Sequence, residues 1–310
     1  MKKLSKKSKK PSIAFQSDIV IDENGEVFIS FLGPELLHLA GQVKDHQAIG
    51  DEKFWEPPTL DEIYFNELEY KNCKICPRSC GFDRTKMPHP LCGDSKLRVS
   101  NFGISFGDED IISGSGGSGV IFLSGCPLTC PSCINKEKVH TQGQEVTPKE
   151  FIDLIKCLNG KSVSNIQILS PTVHLPNLRA ILKALKDSNF PIPIALKTSG
   201  HDLPDQIMSL KGLVDIFIPD LKPCFNIEWS KDARIEQSYP KLFEESINEM
   251  FNQLGSPKFS NSGTILSGII IRYVKPPFLS KEQELKTIEF LNSYKDRAYI
   301  SILDNYVSQK

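Results

Sequence analysis

Val120-Ile121-Phe122-Leu123-Ser124-Gly125-Cys126-Pro127-Leu128-Thr129-Cys130-Pro131-Ser132-Cys133 joins two signals in one short stretch. The apolar run Val120 to Leu123 reads as a strand buried on both faces. Ser124-Gly125 reads as the turn that ends it, so the three cysteines fall in the loop directly after a strand. Similar runs recur downstream at Asn165 to Leu169, Ile192 to Lys197, Val214 to Pro219, Gly268 to Val274 and Tyr299 to Leu303. Stretches of helical period separate them, at Pro148 to Leu158, Leu175 to Lys186, Pro204 to Leu210, Pro240 to Leu254 and Lys281 to Tyr294. The first of these carries a full start signal, because Thr147 can cap, Pro148 suits the first helical position and Glu150 completes a capping box.

Alternation of apolar strands with helices predicts an α/β fold with parallel strands joined by right-handed crossovers, here a partial (βα)6 barrel. Chemistry in such barrels sits on the loops that follow the strands. That rule selects Ser124 to Asn135, Ser170 to His174, Thr198 to His201, Asp220 to Cys224, Lys275 to Pro277 and Asp304 to Tyr306. His174, His201, Tyr273 and Tyr306 are candidate substrate contacts on or beside these loops, with packing as the default reading of the tyrosines.

The 310 residues carry a formal net charge of -1, so no global charge bias calls for a nucleic-acid partner. The one basic run, Met1 to Lys10, lacks the apolar core of a secretory signal and the length of a membrane span. It reads as a solvated tail on a cytoplasmic protein with no membrane partner. Asp18 to Phe31 reads as a hairpin turning at Asn24-Gly25, followed by a short helix near Pro34 to Ala40 and a Pro- and acid-rich connection around Trp55 to Asp61. The chain thus divides into a partly disordered N-terminal extension (1–70), a cysteine-rich leader (71–115) and the barrel (116–310).

Nine cysteines are clustered rather than dispersed. An odd total, tight spacing and no export signal favour metal binding over disulfides. Cys126, Cys130 and Cys133 form a C-x3-C-x2-C loop that can wrap three corners of an iron–sulfur cubane. Cluster irons normally take four thiolates, so three ligands leave one iron open to an exogenous group. The amino and carboxylate groups of S-adenosyl-L-methionine can chelate such an iron. A zinc site completed by His140 or Cys92 is the blander reading, but zinc sites usually pair cysteines two apart on each of two knuckles. Cys73, Cys76, Cys80 and Cys92 supply a second set of four thiols, enough for zinc or for an auxiliary iron–sulfur cluster, and Arg78 and Arg84 add positive charge beside them. Cys157 reads as a small core residue and Cys224 as a loop cysteine near the site.

These residues resemble the radical S-adenosylmethionine superfamily, in particular its uncharacterised branch related to pyruvate formate-lyase activating enzyme. The likeness runs from Cys73 nearly to the end. It includes Cys73-Lys74-Ile75-Cys76-Pro77-Arg78-Ser79-Cys80-Gly81 with Arg84 and Cys92-Gly93, Gly116 to Gly119, Phe122 to Asn135, Ser170-Pro171-Thr172 and Thr198-Ser199-Gly200. Val214-Asp215-Ile216, Pro219-Asp220-Leu221-Lys222, Glu249-Met250, Gln253-Leu254-Gly255 and Arg272 extend it. The resemblance implies an oxidoreductase holding a [4Fe-4S] cluster that reductively cleaves S-adenosyl-L-methionine and abstracts hydrogen from a protein glycine, another side chain or a small molecule. It implies an electron donor such as flavodoxin or ferredoxin. Ser170 and Thr172 would lie near the methionine amino group, Thr198, Asp220 and Lys222 near the ribose and carboxylate, and Arg272 would pair a carboxylate through its forked donors. Three departures stand out: no Gly-Gly-Glu segment at Ser170 to Thr172, Lys197 in place of an aspartate, and Ile134 in place of a glutamine. They leave room for a non-catalytic structural or assembly protein that binds an iron–sulfur cluster or zinc.

Overall fold

The computed structural model describes residues 18–21, 27–30, 67–106, 109–133, 135–140 and 143–303. The turn at Asn24-Gly25, the helix expected near 34–40, the connection at 55–61, Ile134 and the loop 304–306 with Tyr306 lie outside them.

Strands β1 (Asp18–Ile21) and β2 (Val27–Ser30) pair antiparallel, as the hairpin reading expected. The hairpin joins the main sheet through β3 (Arg98–Ser105), a strand absent from the sequence reading. Its run Arg-Val-Ser-Asn-Phe-Gly mixes polar residues and glycine, which hides it from an apolar-run search. Strand β4 (Ser118–Leu123) pairs antiparallel with β3. The short β5 (Gln144–Glu145) also pairs with β3.

The order then becomes parallel: β4, β6 (Ile166–Leu169), β7 (Ile194–Thr198), β8 (Ile216–Pro219), β10 (Ile265–Val274) and β11 (Tyr299–Leu303) are neighbours in sequence and in space. The two-residue β9 (Lys258–Phe259) pairs antiparallel with β10. The main path of the sheet runs from β1 to β11 through nine strands, and no pairing among the described residues closes it. The α/β class and all six expected strands are therefore present.

Helices α1 (Leu68–Lys71), α2 (Asp110–Ser113), α3 (Lys136–Val139), α4 (Pro148–Asn159), α5 (Leu175–Asp187), α6 (Pro204–Met208), α7 (Ile227–Asp232), α8 (Tyr239–Leu254) and α9 (Lys281–Asn292) fill the connections. Helix α4 starts with the capping box expected of Thr147 and Glu150. The long helices cover one face of the sheet. Ile121 and Leu123 of β4, Ile166 and Ile168 of β6, Leu196 of β7 and Ile269 and Ile271 of β10 share one core with Phe151 and Ile155 of α4, Leu178 and Leu182 of α5, and Phe243 and Ile247 of α8. Helices on a single face follow from winding in one direction, since right-handed crossovers between successive neighbours all return over the same side.

The opposite face meets α2. Ile112 packs there against Ala195, Ile216, Ile218, Ile265 and Ile270. The Ile112 carbonyl accepts from Asn165 Nδ2 at 2.6 Å, and the Ser113 carbonyl from Ser164 Oγ at 2.7 Å. Glu109, just before α2, receives Arg272 Nε of β10 at 3.0 Å, a second guanidinium N–H, and the hydroxyl of Ser301 on β11. This segment thus ties β10 and β11 back to the approach to β6.

Burial raises the Glu109 carboxyl, but the hydrogen bond and charge of Arg272 outweigh it and hold it below the usual range. The pair therefore stabilises the fold above that range, and its contribution is lost as pH falls through the depressed value. Glu109→Gln strands a buried guanidinium and should cost about 3–5 kcal/mol at neutral pH. Urea unfolding midpoints at pH 7 and pH 3 check this. The gap between wild type and variant should shrink in acid, and a gap independent of pH would exclude the ion pair as its cause.

Candidate cluster site

The loop after β4 begins at a turn held from five directions. Ser124 N–H donates to Arg98 O on β3 at 3.0 Å, and the Ser124 hydroxyl accepts from Gly143 N–H at 2.8 Å. His174 Nε2 lies 2.5 Å from Ser124 O, which makes it a donor there; burial and the charge of Arg84 push that imidazole down to about 4. A neutral ring with its proton on Nε2 satisfies the contact. Gly125 N–H donates to Val139 O at 2.6 Å, and Gly125 O accepts from Ser170 Oγ at 2.7 Å. Gly125 has φ +96°, and an added Cβ would stand 2.7 Å from Cys92 O, so only glycine fits.

From this turn the chain delivers Cys126, Cys130 and Cys133, all part-buried and free. Backbone N–H groups two residues on, at Leu128 and Asn135, bond the Cys126 and Cys133 thiols. Such bonds favour a thiolate. Burial works against ionisation, raising all three thiols and taking Cys126 to about 12. Lys222 is a cation whose charge favours ionisation of all three. Burial alone would lower Lys222, but Asp220 and the three thiols hold it above its ordinary value. The far side of the loop is anchored too, with Thr129 N–H donating to Ala233 O and Thr129 Oγ1 to Asp232 O.

The other expected site residues gather at the same end of the parallel strands. Thr172 and Thr198 are buried and both hydrogen-bond to Asp202, the Thr172 contact at 2.7 Å. Lys222 Nζ lies 3.3 Å from Asp220 Oδ2, and Tyr239 OH accepts from Lys222 N–H at 3.1 Å. Asp220 and Arg272 are bridged backbone to backbone. Two of these side chains already have protein partners. The Ser170 hydroxyl is spent on Gly125 O, so it positions the cysteine loop. The Arg272 fork is filled by Glu109, so an incoming carboxylate would have to displace that partner.

Asp202, Tyr239 and Glu236, which pairs with the expected His201 at 2.6 Å, were missed by sequence reading. A buried aspartate after the Thr198-Ser199-Gly200 turn is the one signal that could have been followed. Among the described residues the buried atoms His174 Nδ1, His201 Nδ1, Asp202 Oδ2 and Asp220 Oδ1 have no partner. Polar atoms left so in a native fold are commonly met by water or ligand. A cavity of about 490 Å³ lined by Asp110, Ser115, Ser164, Ser262 and Thr264 opens at the entry ends of the strands, the end that in such folds serves stability.

Among the described residues no three His, Cys, Asp or Glu side chains converge as ligands of one metal ion. A tetrahedral zinc would draw its thiolates to about 3.8 Å of each other. A cubane binds each thiolate through a separate iron, so thiols that share a neighbourhood without converging fit a cluster better. The donor set, the inward N–H groups and Lys222 suit that group.

Residues 112–214 match the model of a 4Fe-4S single cluster domain. The match supports a 4Fe-4S cluster in this part of the chain, and it spans Cys126, Cys130 and Cys133 but not Cys73 to Cys92. An uncharacterised protein of Methanocaldococcus jannaschii is 25% identical over 189 residues, covering 57% of this chain and 54% of that protein. The chain thus spans about half the length of that curated relative. No helix among the described residues is long and apolar enough to cross a membrane.

Burial raises the Asp202 carboxyl, overriding its two threonine bonds. A raised carboxyl gives stability that is complete in acid and lost as pH rises through the folded value. Asp202→Asn keeps an acceptor for Thr172 without that loss. Relative to wild type it should gain stability between pH 4 and pH 8 in guanidinium unfolding, and an unchanged difference would sink the assignment.

Proposed function

We propose that this chain is a radical S-adenosylmethionine enzyme built on a partial (βα)6 barrel, with Cys126, Cys130 and Cys133 holding a [4Fe-4S] cluster that has one open iron. The observation that carries the proposal is the position of the three thiols, at the exit of the first of six consecutive parallel strands, with Lys222 beside them. The match to a 4Fe-4S single cluster domain supports the cluster. When bound, the cluster supplies one electron to the sulfonium of S-adenosyl-L-methionine. That electron would serve reductive cleavage of S-adenosyl-L-methionine to methionine and a species able to take a hydrogen atom from the substrate.

The chain's own residues bind and orient. Ser170 sets the loop, Thr172 and Thr198 with Asp202 present a buried polar wall, and Lys222 offers a cation to the methionine carboxylate. Asp220 holds Lys222 in place and has a free carboxylate oxygen for a ribose hydroxyl. Arg272 is committed to Glu109 and enters the carboxylate site only if Glu109 moves. A flavodoxin- or ferredoxin-type protein supplies the electron. The substrate is a protein side chain, glycine included, or a small molecule.

Protein reconstituted anaerobically with iron and sulfide, reduced with dithionite and given S-adenosyl-L-methionine should release 5′-deoxyadenosine, and Cys130→Ala should release none. An intact reconstituted cluster that yields no 5′-deoxyadenosine would replace this reading with that of a non-catalytic cluster protein.

A further inference from the structure

We propose that Cys73, Cys76, Cys80 and Cys92 form a second centre, a four-thiolate site for a thiophilic metal, and that this centre clamps the Cys126–Cys133 loop. The first half stands apart from the proposed enzyme activity; the second deepens it. Cys73, Cys76 and Cys92 are buried and Cys80 is exposed, and none forms a disulfide. Cys73 N–H donates to Phe82 O at 3.2 Å and Gly81 N–H to Cys73 O at 3.0 Å, a ladder that folds Cys80 back over Cys73. The Cys76 thiol accepts the backbone N–H of Arg78. That is the same two-residue contact that Cys126 and Cys133 make, so the two cysteine groups share a local backbone geometry.

Cys80 and Cys92 are each followed by a left-handed glycine, Gly81 at φ +67° and Gly93 at φ +71°. A Cβ on Gly93 would meet nothing within 4 Å, so the conformation, not packing, calls for glycine there. Arg84 lies buried inside the group, donating to the carbonyls of Cys92, Gly93, Asp94 and Val173 at 2.6–3.0 Å. Its charge and the other three thiols are all felt at Cys92. Cys80 Sγ lies 3.9 Å from Cys73 O, and the Cys92 carbonyl is held by Arg84, so one knot of backbone contacts gathers the four cysteines, and binding of a metal would draw the thiols together and release their protons.

Three contacts carry this order to the other loop. Cys126 N–H donates to Leu91 O at 3.1 Å, Arg78 Nε donates to Pro127 O at 2.8 Å, and Cys92 O fills the space beside Gly125. Metal at the four thiols therefore fixes both ends of the cysteine hairpin that meets Cys126.

The test uses the full chain with Cys126, Cys130 and Cys133 all changed to alanine, purified anaerobically and assayed for metal and sulfide. Site-resolved alkylation is run with and without a chelator. The expected result is about one zinc without sulfide, or about four irons with sulfide. Protection of Cys73, Cys76, Cys80 and Cys92 should vanish on chelation. Zinc identifies a closed structural ion and iron with sulfide an auxiliary cluster; both support the four-thiolate site. No metal, with alkylation indifferent to chelator, overturns it. Cys80→Ser in an otherwise unchanged chain guards against misfolding of the triple variant. It should lose one metal centre and expose Cys130 to faster alkylation, whereas unchanged metal content or unchanged labelling would defeat the clamp. Failure to release 5′-deoxyadenosine bears on neither readout.

Discussion

The turn at Ser124-Gly125 is the constraint on which the rest of the site depends. A strand carrying Val120 to Leu123 must end where thiols can leave it, and the turn satisfies its backbone with partners from β3, α3 and the loops after β4 and β6. The partners come from β3, from α3 and the chain after it, and from the segment after β6, so the loop cannot be set until the sheet is assembled. The elements in turn are assembled by burial alone, through the apolar face that β4, β6, β7, β8 and β10 present to the long helices. Packing thus builds the frame, and hydrogen bonds then fix the one segment that carries chemistry.

The opposite face divides along the strands. Toward their entry ends Ile112 covers an apolar patch formed by Ala195, Ile216, Ile218, Ile265 and Ile270. Toward their exits lie Asp220 and Arg272. An open sheet exposes this face to water unless something fills it, and α2 is the filler. Glu109 links filler and polar end, because its carboxylate neutralises Arg272 just where the apolar patch gives way. Loss of that anion would leave a charge in a place poorly able to hydrate it.

Most of this frame was legible in the sequence. Apolar runs announced six strands, Thr147-Pro148 announced the start of α4, and the rule that chemistry follows strands picked out the loops holding Thr172, Thr198, Asp220 and Lys222. What escaped depends on distance along the chain. Glu109 and Arg272 lie 163 residues apart, and no local pattern pairs them. Strand β3 escaped because it borders the antiparallel side, where its mixed composition suffices. The family resemblance puts Ser170 near the cofactor, and its hydrogen bond to Gly125 O, 45 residues away, is a contact no local pattern announces.

Three thiolates gathered in a part-buried loop repel one another, and burial makes each ionisation harder. Water cannot screen that repulsion well inside a fold, so compensation must come from fixed charge. Lys222 supplies it from β8's exit loop, while Asp220 keeps the ammonium in position and Tyr239 holds the backbone beside it. A lysine so placed stays charged because the anions around it outweigh its own burial. The aspartate next to it would be a poor choice without the lysine, since a lone carboxylate beside thiolates only adds to the repulsion. The pair therefore has to be read as a unit, because both charges reach Cys130 and Cys133 and the lysine is the one that eases their ionisation. A cysteine loop that must give up its protons to bind a cluster needs that cation held in place.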